Sequence, residues 1–235
     1  MQESMSRDFS YNHPFELAYW QYGLTVANQW LERQGLPRNQ QWDDIVANLS
    51  PLPQHDGIYT AGLPRGKTTG LTTFDPFDAV ATGAAPAVSI ETFAEKCRND
   101  HPAVLGVFGL LPPCSISSDG IVANRTLDWV MENWNWATTW GWDYGMTAMA
   151  AARLGQPETA LKALLFDTQK NTYLKNGHNF QTADRLRLYL PGNGALLTAV
   201  AMMCAGWDGC SIPNNPGFPL DGTWNVRWEG LQRMQ

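Results

Sequence analysis

Trp140-Gly141-Trp142-Asp143 sets two indoles, a glycine and a carboxylate within four consecutive residues. Flat apolar ring faces suit the C–H surfaces of a pyranose, and a carboxylate beside them can bind hydroxyls or move a proton. The same residues also suit a joint between packed helices, with Asp143 as a helix N-cap or first-turn acid. The residues alone leave these two uses even. Five of the eleven tryptophans lie in the fourteen residues from Trp129 to Trp142. Within that run Trp134 and Trp136 read as helix-packing rings, whereas Trp140 and Trp142 are the candidates for stacking on a ligand.

Other polar residues are weighed in the same way. Glu16 sits where a first helical turn is expected, a position that favours a carboxylate structurally, and it is also a candidate for binding hydroxyls. His178, between Asn176-Gly177 and Asn179, is a candidate for orienting a substrate, and Asn179 is taken with it as substrate-binding. Asn193, between Gly192 and Gly194, is either a turn residue or a ligand contact. His101, before Pro102, reads as structural, and Tyr19 and Trp20 read as core residues of a helix. Trp224 and Trp228 are expected to cover the end of the core.

The chain has 235 residues and a net charge of −6, with Lys+Arg 16 against Asp+Glu 22. Without a basic tract it is a poor partner for nucleic-acid phosphates, and neutral polar ligands suit the balance better. Cys97, Cys114, Cys204 and Cys210 lack metal-ligand spacing, so neither a metal nor another cofactor is expected, while Cys97–Cys114 or Cys204–Cys210 disulfides stay open. No apolar run is long enough to span a bilayer, so no membrane partner is expected, and Met1 to Asp8 lack a signal-peptide core.

The elements that must position these residues are mostly helical. Asn12, Pro14, Gly35 and Pro37 bracket a first helix, and a short one is predicted at Gln41–Leu49. Residues 59–100 read as a long rim loop with a short helix at Ile90–Cys97. Further helices are predicted at His101–Leu111, Ser118–Trp136 and Trp142–Leu154, then after Pro157. A last one, Ala195–Ala205, is apolar on nearly all sides and expected to be buried. Trp224 to Glu229 alternates with period two and predicts a half-buried strand. The expected fold is all-α with a short C-terminal β element, divided at 1–215 and 216–235.

Seven segments in order, Gln2-Glu3, Phe15 to Trp20, Arg98 to Pro102, Thr139 to Asp143, Asn176 to Asn179, Tyr189 to Gly194 and Trp228 to Leu231, carry a resemblance over essentially the whole chain. It resembles the C-terminal part of large bacterial proteins related to glycoside hydrolase families 65 and 95, of the six-hairpin glycosidase type. The resemblance implies part of an (α/α)6 barrel. Such a barrel needs about twice the helices expected here at typical lengths of about 11–12 residues. The missing N-terminal half of the same barrel is therefore an expected partner, and an exposed apolar seam is expected where it belongs. A carbohydrate substrate and a periplasmic or secreted location are implied too.

The resemblance also assigns roles. Glu3, in a loop ahead of Asn12 and the first helix, corresponds to the general acid of an inverting hydrolase, which must stay protonated in a partly desolvated pocket. The carboxylate that family 95 places before the Gly-Asn of the last helix is replaced here by Pro191, which cannot act as a base. Asp143 is the best substitute. A phosphorylase, as family 65 includes, is the first alternative, since phosphate then replaces water. A non-catalytic glycan-binding or inactive fragment is the second, and a lyase the last.

Overall fold

The computed structural model describes residues 10–64, 97–117 and 119–234. Its α-helices are α1 (Pro14–Arg33), α2 (Gln40–Ala47), α3 (Gly106–Gly109), α4 (Gly120–Asn133), α5 (Gly141–Arg153), α6 (Pro157–Leu164) and α7 (Leu190–Ala205). Among the described residues, six two-residue strands pair antiparallel: β1 (Ser10–Tyr11) with β4 (Leu63–Pro64), β2 (Gln54–His55) with β3 (Ile58–Tyr59), and β5 (Thr172–Tyr173) with β6 (Asn179–Phe180). The molecule is mostly α, as the sequence predicts.

Helix boundaries follow local chemistry. Pro14 fills the first position of α1, where its missing N–H costs nothing, and His13 rather than Asn12 is the N-cap residue. Asp119 caps α4 by accepting the Ile121 and Val122 N–H groups at 3.0 and 3.1 Å. The helix predicted at His101–Leu111 is shorter, because it opens as a 3-10 turn, Ala103–Leu105, before α3. Most of the rim loop, including residues 90–96, lies outside the described residues.

Helix α5 is the centre of the core: nearly every residue from Gly141 to Ala152 is buried. Small residues let its neighbours approach closely. A Cβ at Gly109 would stand 2.5 Å from the Met146 carbonyl oxygen, and one at Gly145 would stand 2.5 Å from the Ala195 carbonyl oxygen. Both are backbone contacts between helices, so only glycine allows them.

Four segments run side by side in the same direction. Phe15 of α1 meets Gly106, and Gln21 donates to Ser115 at 2.6 Å further along. His101 meets Asp143, and Arg153 donates to the Leu111 carbonyl at the far end. Trp140 meets Tyr189 ahead of α5 and α7, while Arg153 and Trp207 line one cleft at their other end. Thus α1, α3, α5 and α7 are parallel neighbours in that order. Between them, α4 and α6 run back against α5: Gln156 reaches Asn124 near the start of α4, and Trp134 at its end donates to the Asp100 carbonyl at 2.8 Å. After α6, Phe166 stacks on Trp136 with ring centroids 4.8 Å apart, near the N-terminal end of α5.

Several expectations are corrected. Residues 224–229 form no strand; the tail is held instead by a Trp207–Met234 bridge and by Asn215, which donates to the Val226 carbonyl at 3.3 Å and accepts from Trp228 Nε1 at 2.9 Å. Alternation without a partner edge cannot build a ladder. Trp224 therefore lies against Phe218 and is 45 % exposed, and Trp228 is likewise exposed rather than covering the core. Tyr19 and Trp20 are 56 % and 60 % exposed, not core. Helix α7 is buried on one side only, since Leu197 is 70 % exposed and Leu190 and Val200 are exposed as well. Trp134 and Trp136 are buried packing rings, as predicted. All four cysteines are free thiols here.

Candidate functional site

The start of α5 is built around its own acid. Asp143 Oδ2 accepts the Trp140 N–H at 2.7 Å, which satisfies one of the donors a helix start leaves open. The carboxylate has no exposed surface. Its second partner arrives from a distant turn: Asp100 adopts a left-handed backbone (φ 64), and its N–H donates to Thr138 Oγ1 at 2.8 Å. That turn aims His101 at Asp143. Nδ1–H of the imidazole then faces both carboxylate oxygens at 3.0 Å, and Nε2 stands 3.6 Å from Asp100 Oδ1.

His101 is thus a buried imidazole between two carboxylates. Burial works against its charge, but Asp143 and Asp100 outweigh that and hold its pKa above the ordinary histidine value. Trp142 packs against it with ring centroids 4.7 Å apart. Trp140 lies at 6.2 Å on another side and meets Tyr189 at 5.6 Å. Burial pushes the Asp143 carboxyl above the usual carboxylate range, and Trp140, Trp142 and Tyr189 are all partly exposed, so aromatic surface borders a buried acid–imidazole pair.

A second cluster of buried amides locks the entrances of α5 and α7 together. Gln181 Oε1 accepts the Gly141 N–H at 3.1 Å, and Gln181 Nε2 donates to Asn179 Oδ1 at 3.0 Å and to the Lys170 carbonyl at 2.9 Å. Asn179 Nδ2 also donates to the Lys170 and Thr172 carbonyls, at 3.2 and 3.3 Å. Neither amide side chain has exposed surface. Gly141 and Gly192 are needed because Asn179 occupies the space that a Cβ at either would take.

The predicted residues divide accordingly. Asp143, Trp140 and Trp142 come together around His101. Asn179 is enclosed and its polar atoms are engaged within the protein, so in this arrangement it positions backbone and offers no surface to a substrate. Asn193 also braces this backbone, accepting the Asn179 N–H at 2.9 Å and donating to the Gly177 carbonyl at 2.7 Å, but it stays partly exposed. His178 sits in the Leu174–His178 turn, partly exposed, with its N–H on Asn176 Oδ1 at 3.2 Å. Glu16 is partly exposed in the first turn of α1 and shares a small cleft with His13, Ala103 and Val104. Glu3 lies outside the described residues.

Sequence reasoning missed the central role of His101, because nothing local ties it to an acid 42 positions away. It also missed Gln181, Tyr189 and Lys170. Only Tyr189, in the polar turn before α7, carried a signal, being an aromatic next to Pro191-Gly192.

Among the described residues no group of three or more His, Cys, Asp or Glu is placed to hold a metal ion. Nor is any helix long and apolar enough to cross a membrane. No family model matches the chain, and no curated protein or solved structure matches it. The chemistry of the site must therefore be read from its own residues.

Proposed function

We propose that this chain forms part of the sugar site of a glycoside hydrolase of the inverting type, within an (α/α)6 barrel. The observation that carries the reading is the partly exposed Trp140–Trp142 pair wrapped around the buried His101–Asp143 pair, a stacking surface next to an acid–base couple. Sugar rings stack on indole faces, and inversion requires one group to protonate the leaving oxygen while another activates water.

In this reading Glu3 is the general acid. Asp143 has no surface from which to meet water, so it acts through His101, whose ring it orients by accepting from Nδ1. Asp143 is then a positioning residue, and Trp140 and Trp142 hold the ring. Glu16 and His178 contribute hydroxyl contacts, while Asn179 and Asn193 hold the backbone beneath them.

The barrel reading draws support from chain order. Parallel α1, α3, α5 and α7, each the neighbour of the next, alternate with antiparallel helices, which is how such a ring is built. The flanks of this arc, Tyr19, Trp20 and Trp30 on α1 and Leu190, Leu197 and Val200 on α7, present apolar surface that further hairpins of the same barrel would cover.

The test is turnover by the protein on oligosaccharides and aryl glycosides, with the anomer of the first product read by NMR. Glu3→Gln is expected to abolish turnover while preserving binding. Binding that persists without any turnover in the unchanged chain would favour a glycan-binding role, and release of a sugar 1-phosphate only in phosphate would favour a phosphorylase.

A further inference from the structure

The chain as a whole is acidic, yet the 21 residues from Gln169 to Tyr189 carry Lys170, Lys175, Arg185 and Arg187 against a single carboxylate, Asp184. Asp184 is held by its own turn: hydrogen bonds from Thr182 and from local backbone N–H groups keep it below the usual carboxylate range. None of the four cations forms an ion pair with a described residue. Four of the molecule's sixteen lysines and arginines thus lie on this one segment, with Arg185 beside Asp184 and the other three without an acidic ion-pair partner among the described residues.

Lys170 is the best placed. Its Nζ lies 5.2 Å from the centre of the Trp140 ring, which also neighbours Tyr189 and His101. Its backbone is fixed from below, because the Lys170 carbonyl accepts from both buried amides, Gln181 and Asn179, at 2.9 and 3.2 Å. Solvated lysines need no such anchoring. The arginines are tied to the same place: Tyr189 N–H donates to the Asn179 carbonyl at 2.9 Å, and Gln181 N–H to the Leu186 carbonyl at 2.9 Å, so Arg185 and Arg187 sit on the return limb of this hairpin.

We propose that Lys170, beside Trp140 and Tyr189, forms an oxyanion subsite, and that the sugar bound there carries a carboxylate, as a uronic acid does. The proposal rests on the reading of Trp140 as a sugar-stacking residue. The ring takes the apolar face of the pyranose and the ammonium takes the carboxylate at its edge. Arg185 and Arg187 supply longer-range attraction for a polyanionic chain. Free phosphate offers the same oxyanion chemistry, and the experiment separates the two.

The probes are trigalacturonic acid, its methyl ester, and inorganic phosphate, each titrated into the 235-residue chain by calorimetry at low and high salt. The acid is expected to bind at least about tenfold more tightly than the ester, with the difference shrinking as salt rises. Lys170→Met is expected to remove most of that preference and Lys170→Arg to keep it, with both variants retaining the wild-type near-ultraviolet circular dichroism. Phosphate that binds and competes with the acid in a Lys170-dependent way supports the subsite with phosphate as its occupant. Equal affinity for acid and ester, abolished by Trp140→Ala, would overturn the anionic preference and leave the sugar reading standing. Failure of all three probes to bind would overturn both.

Discussion

His101 Nδ1 stands 3.0 Å from each of the two carboxylate oxygens of Asp143, an acid with no exposed surface. One side of this pair is the fully buried first-turn acid of α5, and the other is the end of a left-handed turn anchored on α4. The contact therefore fastens two helices to the central one.

Removing either partner leaves a buried polar group uncompensated. Asp143→Ala is expected to cost about 3–5 kcal/mol, the range for breaking a buried ion pair. Asp143→Asn should cost less, since its amide oxygen can still accept the Trp140 N–H. Urea denaturation of both variants, combined with His101→Gln in a double-mutant cycle, measures the coupling. A cycle energy near zero would show that the pair does not hold α5 in place.

The same pair sets a pH dependence. The pKa of His101 is raised in the folded state, so its contribution to stability is fully present below the unfolded value of about 6.5 and is lost as pH rises through the folded value. Melting temperature is expected to fall as pH rises above about 6.5. The His101→Gln variant should show a flatter profile over that interval, and identical slopes would contradict the assignment.

Two glycines in helices are expected to respond oppositely to alanine. At Gly145 the new Cβ would sit 2.5 Å from the Ala195 carbonyl oxygen, and α7 cannot yield without unpacking, so Gly145→Ala should destabilise by about 1–3 kcal/mol. At Gly23, within α1, nothing lies within 4 Å of the added atom, and alanine should stabilise by about 0.5–1 kcal/mol. Chemical denaturation midpoints distinguish the two signs.

Thr147 is fully buried on α5, and its hydroxyl has no hydrogen-bond partner among the described residues. Valine keeps the shape and removes the unpaired group, so Thr147→Val should raise stability by about 1 kcal/mol. A loss of stability on calorimetric unfolding would indicate a partner for the hydroxyl.

Trp140→Ala is expected to weaken binding of any sugar ligand by at least about tenfold, the scale of a lost aromatic anchor. Trp134→Phe should leave that affinity unchanged and act on stability alone, because Trp134 is buried against the Asp100 turn. Intrinsic fluorescence titration of the two variants separates binding from folding.

Much of this was determined by the sequence itself, because helices are specified by contacts a few residues apart. Pro14 and Asp119 fixed where helices begin, and Trp140-Gly141-Trp142-Asp143 marked the joint on which the site is built, whereas the tertiary structure decided which helix lies at the centre, burying α5 rather than α7. The tertiary structure alone decided which residues meet across the chain. It brought His101 to Asp143, buried Asn179 and Gln181 beneath two helix starts, and set Lys170 over Trp140, since none of those pairings leaves a periodic trace. It also decided exposure: α7 is apolar all round and Tyr19 and Trp20 are aromatic, yet burial depends on a neighbour being present rather than on a side chain's own hydrophobicity. The net charge of −6 favours a neutral ligand, whereas the fold sets the Lys170 ammonium over the Trp140 ring, because charge acts over distances of ångströms and not over the whole composition.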